Sequence, residues 1–161
     1  MIKKINLLFL TLFSVGKLKW APGTAASIVT CLFFLIFINY VDIYIIFIFT
    51  IFIFLYSFIA INKSFETFEE EDPQEIVIDE FLGQMIPLLA LPIYETLYPT
   101  SKLYYCLIAF VIFRFFDIIK PFPINYIDNN IEGALGILLD DIVAGLLTVI
   151  IMIIIFFFIG G

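Results

Sequence analysis

An all-α, polytopic membrane bundle is the fold class this sequence predicts, and three observations predict it. Hydrophobic residues fill 63% of its 161 positions and charged residues only 14%, against about 45–50% and about 25% in an ordinary soluble domain. The mean hydropathy is +1.15. The apolar residues fall into runs of roughly span length, separated by short polar clusters. So large an apolar excess must face lipid, which excludes a soluble enzyme, a nucleic-acid binder and a disordered chain. At this length the expected organisation is one domain, residues 1–161.

The elements follow in order. Lys3-Lys4 and the apolar stretch Ile5–Val15 resemble a signal peptide. However, Ser14-Val15-Gly16 is a poor cleavage site, and a stretch of eleven residues is too short to span. Residues 1–19 are therefore expected as a retained helix at the membrane interface, with residues 20–161 forming the bundle. From Ala25 to Ile61 the chain is almost wholly apolar, broken only at Asn39-Tyr40-Val41-Asp42. That length fits two spans joined by a tight turn, near Ala26–Ile38 and Ile43–Ile61. A third span is expected near Phe81–Ile93, a fourth over Leu103–Ile119 and a fifth over Ile142–Ile159, about five in all. The first and third are short for a bilayer.

Orientation comes from the basic residues. With the N-terminus cytoplasmic, Lys3, Lys4, Lys17, Lys19, Lys63 and Lys120 lie on the cytoplasmic side, and Lys102, in the Glu95–Lys102 loop, lies opposite. This is the positive-inside pattern, and it places the C-terminus outside. The same topology gathers Trp20–Thr24, Glu66–Glu80, Arg114–Lys120 and Asp140-Asp141 at the cytoplasmic face.

Missing residue types narrow the chemistry. The chain has no His, hence no His-based triad, no phosphohistidine and no imidazole zinc site. Cys31 and Cys106 sit singly in apolar runs and read as buried membrane residues. Walker, dinucleotide-binding, Cys-x5-Arg and Asp-x-Asp-x-Thr signatures are absent. The acidic run Glu66, Glu69, Glu70, Glu71, Asp72 reads as a solvated segment. The sequon Asn62-Lys63-Ser64 is discounted because it abuts a span on the cytoplasmic side.

The polar residues inside apolar helices remain. Asp79, Glu80, Arg114, Asp117, Asp140 and Asp141 would each cost roughly 2.5–3.5 kcal/mol at a helix centre. Left unpaired they would cost on the order of 10 kcal/mol together, so they must face one another, water or a cation. Five carboxylates oppose Arg114 and Lys120. The surplus asks for a cation, and an all-oxygen ligand set suits Mg²⁺ or Mn²⁺. An open hard divalent ion is what phosphoryl chemistry requires. Arg114 would grip a phosphate in bidentate fashion and Lys120 would neutralise it. Ala21-Pro22-Gly23-Thr24, with Thr24 as the expected N-cap, would offer backbone N–H groups of Gly23 and Thr24 to an anion.

Four blocks carry a family resemblance: Trp20-Ala-Pro-Gly-Thr-Ala-Ala-Ser27, Glu75-Ile-Val-Ile-Asp-Glu-Phe-Leu-Gly-Gln84, Phe113-Arg-Phe-Phe-Asp-Ile-Ile-Lys-Pro-Phe-Pro123 and Gly136-Ile-Leu-Leu-Asp-Asp-Ile-Val-Ala-Gly145. With these the sequence resembles phosphatidylglycerophosphatase A, the bacterial membrane enzyme that makes phosphatidylglycerol from its phosphate. The blocks run in family order from about residue 16 to 148. Two positions depart from the family pattern: Phe122 stands where Trp is usual, and Ala25-Ala26 where a Gly is common before the Ser.

The resemblance implies Mg²⁺-dependent phosphomonoester hydrolysis at the cytoplasmic face of the inner membrane, with phosphatidylglycerophosphate as the lipid substrate. It points to Asp79, Glu80, Asp117, Asp140 and Asp141 as catalytic carboxylates, with Asp79, Glu80, Asp140 and Asp141 as metal ligands. Arg114, Lys120, Gly23 and Thr24 would hold the phosphate, and Gln84 would be a polar neighbour of Glu80. Were the mechanism covalent, Asp140 or Asp141 would be the nucleophile. Three other readings compete: a phosphatase for a different membrane lipid phosphate, a non-catalytic headgroup clamp, and a cation transporter, which would want its acids near the midplane.

Overall fold

The structure is a computed structural model that describes residues 2–64, 75–97 and 101–160. It is all-helical, with no strand among the described residues. The helices are α1 (Ile2–Leu10), α2 (Pro22–Phe37), α3 (Ile43–Ser64), α4 (Ile78–Leu89), α5 (Leu91–Leu97), α6 (Lys102–Ile119), α7 (Ile124–Asn130) and α8 (Gly133–Gly160), with a 3-10 turn at Val15–Lys17. The acidic run Glu66–Asp72 and residues 98–100 of the Glu95–Lys102 loop lie outside the described residues.

Local chemistry sets the helix ends. Pro22 occupies the first position of α2, where its fixed φ is pre-organised and its missing N–H costs nothing. The helix therefore starts two residues before Thr24, and Ala21, at φ 45°, is the N-cap in Thr24's place. Asp42 caps α3 by accepting the N–H of Tyr44 at 2.8 Å. The α2–α3 turn thus falls at the expected polar break. Lys120 ends α6 in a left-handed conformation, φ 45°, and Pro121 follows.

Two expected spans change shape. The third is not one helix: α4 stops at Leu89, Ala90 turns, and α5 continues separately. Pro87 lies inside α4, where it removes the donor that would bond the Gly83 carbonyl. The fifth begins nine residues early, at Gly133, so Asp140 and Asp141 lie two turns inside α8. Among the described residues, two helices, α3 and α8, are long and apolar enough to cross a membrane. α2 has only 16 residues, and α6 carries Lys102, Arg114 and Asp117 within its 18.

α4 is the centre of the bundle. Ile78, Phe81, Leu82, Gly83, Gln84, Met85, Pro87 and Leu88 are all buried, and α4 packs most extensively on α8 and α2. Two glycines allow the close approach to α8. A Cβ at Gly83 would lie 2.6 Å from the Asp141 carbonyl oxygen. One at Gly145 would overlap the Gly83 carbonyl that Pro87 leaves free.

Outward the bundle is apolar. Just 22% of the α3 span and 33% of the α8 span is buried by protein, whereas the core helix of a soluble protein is mostly covered. Phe47, Ile48, Phe52 and Leu55 of α3 and Ile150 and Phe157 of α8 point away from the core. At about 1.5 Å per residue, the 22 residues of α3 extend roughly 33 Å, the thickness of a bilayer's hydrocarbon layer. Hydroxyls within the apolar stretches are satisfied internally, as where Thr30, Thr50, Ser57 and Thr148 donate to carbonyls one turn back. These are the properties of a membrane protein.

The N-terminal segment docks on this bundle. Asn6 accepts a hydrogen bond from the Tyr56 hydroxyl at 2.8 Å, and the Leu10 carbonyl accepts the N–H of Val77 at 3.0 Å. Gly16 packs against the Glu75 carbonyl so closely that a Cβ would overlap it.

Candidate active site

The N-terminal ends of α2 and α4, the C-terminal end of α6, and α7 with the first turns of α8 surround one cavity of about 420 Å³. Its polar lining is Asp79, Glu80, Arg114, Asp117, Lys120, Asp128, Glu132, Asp140 and Asp141, with Ala21, Pro22 and Gly23 forming one wall. At the opposite end of the bundle Lys102 donates to Asn39 at 3.2 Å, tying the start of α6 to the end of α2.

Asp79 and Glu80 occupy the first turn of α4, where the helix dipole favours negative charge. Together with Asp141 they form a group whose nearest carboxylate oxygens all lie within 4.8 Å of one another. Asp79 Oδ1 and Glu80 Oε2 are buried and have no hydrogen-bond partner in the protein. Three carboxylates this close, two with unpartnered oxygens, fit a hard cation ligated by oxygen.

Glu80 Oε1 fills the space a Cβ at Gly23 would occupy, and Arg114 Nη1 lies 3.1 Å from the same point. Gly23 is thus the floor that lets a carboxylate and a guanidinium meet against the α2 backbone. Arg114 also donates to Asp117, one turn on along α6, while its buried Nε has no partner in the protein. The start of α2 adds the backbone N–H groups of Gly23 and Thr24, which precede the first intrahelical bond, Ala25 N–H to Ala21. The Thr24 side chain does not line the cavity.

Lys120 joins three elements: it donates to Asp128 of α7 at 2.5 Å and to Asp140 of α8 at 2.8 Å. Burial pulls its pKa down, but the two hydrogen-bonded carboxylates more than reverse that and hold it above the ordinary lysine value. The other oxygen of Asp140 accepts the N–H of Asp141 at 2.9 Å. Asp140 is consequently committed to Lys120 and to its own backbone, outside the three-carboxylate group.

The cavity also holds two acids the sequence analysis did not single out, Asp128 and Glu132. Neither follows an apolar helical period. They lie on and just after the short α7, which Pro121 and Pro123 separate from α6. The one sequence signal was a polar patch between two apolar runs. Counting them, seven carboxylates face two cationic side chains.

Comparison with known proteins decides the family. The family described as phosphatidylglycerophosphatase A matches residues 8–156. The chain belongs to the phosphatidylglycerophosphatase A family. The phosphatidylglycerophosphatase A of Haemophilus influenzae is 35% identical over 153 residues, covering 92% of this chain and 90% of that protein. That of Escherichia coli K12 is 44% identical over a shorter stretch of 77 residues, 48% of this chain and 41% of its own length. A Bacteroides thetaiotaomicron protein, provisionally named a phosphatidylinositol-3-phosphatase, is 32% identical over 143 residues, 83% of this chain and 82% of its own. No solved structure matches. By their names these relatives are phosphatases of phosphate monoesters, and the chain is a member of that enzyme class.

Proposed function

We propose that the chain hydrolyses phosphatidylglycerophosphate to phosphatidylglycerol and inorganic phosphate, in a Mg²⁺-dependent reaction at the cytoplasmic face of the bacterial inner membrane. The observation that carries this reading is the set of unpartnered buried atoms around one cavity. Arg114 Nε is a donor for a phosphate, and Asp79 Oδ1 and Glu80 Oε2 are acceptors for a cation. The family membership supplies the substrate class.

In this reading Asp79, Glu80 and Asp141 hold the Mg²⁺. Bound there, such an ion would polarise a phosphoryl oxygen and lower the pKa of water. Arg114 takes the phosphate through its free Nε, held at the right angle by Asp117. The N–H groups of Gly23 and Thr24 approach the same anion at a helix N-terminus. Lys120 adds positive charge at the rim and keeps α7 and α8 in register through Asp128 and Asp140. Water attacks phosphorus as the bond from phosphorus to the glycerol oxygen breaks, and the proton that the water gives up is passed on to the leaving glycerol oxygen. The carrier of that proton is a carboxylate with no cationic partner, one of Asp79, Glu80, Asp141 or Glu132, because Asp117 is engaged by Arg114 and Asp128 and Asp140 by Lys120.

The orientation and span count belong to the same proposal. The cavity end carries Lys17 and Lys120 as well as the site, and the far end carries Lys102, which favours the N-terminus inside. Five crossings follow if α2, the α4–α5 pair and α6 traverse the bilayer beside α3 and α8. A second substrate is favoured by one observation: the Bacteroides relative is named for an inositol lipid.

The test is phosphate release from phosphatidylglycerophosphate by detergent-purified protein, with and without Mg²⁺, beside Asp141→Asn. Metal-dependent release that Asp141→Asn lacks is expected. A folded protein that releases nothing with any divalent metal overturns the reading and leaves a headgroup clamp. Faster release from phosphatidylinositol 3-phosphate would move the substrate to the inositol lipid.

A further inference from the structure

Gln84 is the least explained residue in the bundle. It lies at the middle of α4, completely buried, and neither its Nε2 nor its Oε1 has a hydrogen-bond partner in the protein. A buried carboxamide with nothing to bond is costly, and an apolar residue of the same size would fill the site at no such cost. Its placement relative to the acids gives it a use. Gln84 follows Glu80 by four residues within one helix, so the two side chains share a face. Helical side chains lean toward the N-terminus of their helix, which carries the Gln84 carboxamide back toward the turn of Glu80. There the buried Glu80 Oε2 also lacks a partner, while Oε1 is turned to Gly23 and Arg114. An orphan donor and an orphan acceptor therefore occupy one helix face, one turn apart.

We propose that Gln84 is a positioning residue, whose Nε2 holds Oε2 of Glu80 through one water, and so fixes how Glu80 is presented to the cation and to Arg114. The inference rests on the cation reading above. A glutamine suits the task because it donates without charge: a lysine here would neutralise Glu80, and a shorter asparagine would fall short of it. Ser27, also fully buried, sits four residues after Gly23 just as Gln84 sits four after Glu80. The Ser27 hydroxyl donates to the Gly23 carbonyl at 3.1 Å.

The experiment measures Mn²⁺ binding to detergent-purified full-length protein by electron paramagnetic resonance, together with the melting temperature of the metal-free protein. Four chains are compared: the wild type, Gln84→Leu, Gln84→Met and the packing control Leu88→Ala. Outer partners of metal ligands are worth about 10–100-fold in affinity or activity, so both Gln84 variants should bind Mn²⁺ at least about tenfold more weakly. Their metal-free melting temperature should hold or rise, because an unpaired polar group is gone. In turnover kcat should fall, while KM for the lipid stays within about twofold. Leu88→Ala should lower the melting temperature and leave Mn²⁺ affinity near wild type. Unchanged Mn²⁺ affinity in either folded Gln84 variant overturns the proposal, as does an equal loss of affinity in Leu88→Ala. If the wild type itself binds no Mn²⁺, the cation reading fails and this role for Gln84 fails with it.

Discussion

Replacing Gly83 by alanine tests how tightly the chemistry depends on the α4–α8 contact. The added Cβ would lie 2.6 Å from the Asp141 carbonyl oxygen, 2.8 Å from Cε2 of Phe113 and 2.9 Å from the Asp141 Cβ. Ordinary contact begins at 3.4 Å, so α4 and α8 must separate by about 0.8 Å. Two of the three obstacles belong to Asp141, and backbone cannot swing away as the tip of a side chain can. Over-packing of this kind costs about 1–3 kcal/mol. The better helix propensity of alanine returns up to about 1 kcal/mol, which leaves a net loss of stability of about 0–2 kcal/mol. The effect on the reaction should be larger. Asp79 and Glu80 move with α4 and Asp141 with α8, so their separation grows by the same 0.8 Å, and a displacement near 1 Å can cost about 100-fold in rate. The assay is phosphate release per mole of monodisperse protein, with the melting temperature read in parallel. Gly145→Ala is the comparison: its Cβ would lie 2.4 Å from the Gly83 carbonyl oxygen, so it should part the same two helices by about 1.0 Å and lower the rate at least as much. Turnover within threefold of wild type in a folded Gly83→Ala protein would refute the argument that this contact sets the carboxylate geometry.

Four other substitutions and one fusion probe the remaining parts. Asp141→Asn should abolish phosphate release with membrane insertion intact, and wild-type turnover would remove Asp141 from the site. Asp140→Asn should also inactivate, but through the loss of its pair with Lys120, so its Mn²⁺ affinity should stay closer to wild type than that of Asp141→Asn. Arg114→Lys keeps the charge and loses the fork that serves Asp117 and a phosphate together. KM should rise about tenfold or more, and an unchanged KM would contradict its role. Gly23→Ala should inactivate, because its Cβ displaces Glu80 Oε1; activity near wild type would show that Glu80 need not lie on α2. A reporter fused after Gly161 should read as external, and a cytoplasmic signal would break the five-span topology.

Composition alone made the helical membrane class legible, and polar interruptions located most helix ends. The α2–α3 turn sits where Asn39–Asp42 predicts it, because Asp42 both breaks the apolar run and caps the next helix. Helix α6 coincides with its predicted span to within a residue. The start of α8 was not legible. Gly133, Gly136 and the two aspartates look like an interruption, yet intramolecular pairing lets a helix carry Asp140 and Asp141 through. Nor was the break at Ala90 legible, since Pro87 and its neighbours are all apolar and hydropathy does not register a turn buried in protein. At the site, the residues that stood out were charges in apolar helices, because lipid makes them conspicuous. Asp128 and Glu132 stood on a polar connector, where charge carries no such signal, and only the fold brings them to the cavity. The separation of Asp140 from Asp79, Glu80 and Asp141 was likewise invisible, because adjacent aspartates look equivalent until a lysine claims one of them.

That division between the aspartates explains how so acidic a cavity can be held in one shape. Seven carboxylates in about 420 Å³ would repel one another if all were free. The fold spends its two cations on the periphery: Arg114 on Asp117, and Lys120 on Asp128 and Asp140. Each of these pairs bridges backbone turns or separate helices, so neutralisation and positioning are the same contact. Four carboxylates stay uncompensated: Glu132 alone on the α7–α8 connector, and Asp79, Glu80 and Asp141 together where α4 meets α8 across glycines. On the proposed cation reading, such a site has a rim held by its own ion pairs and a centre that a cation completes. Conditions that strip divalent ions should therefore loosen the α4–α8 contact before they disturb the rim. Hydrogen exchange should accordingly show chelation lowering protection around Asp79–Gly83 and Asp141–Gly145 while leaving the C-terminal end of α6 unchanged. Uniform loosening of all helices would instead mean that the acids are held by packing alone.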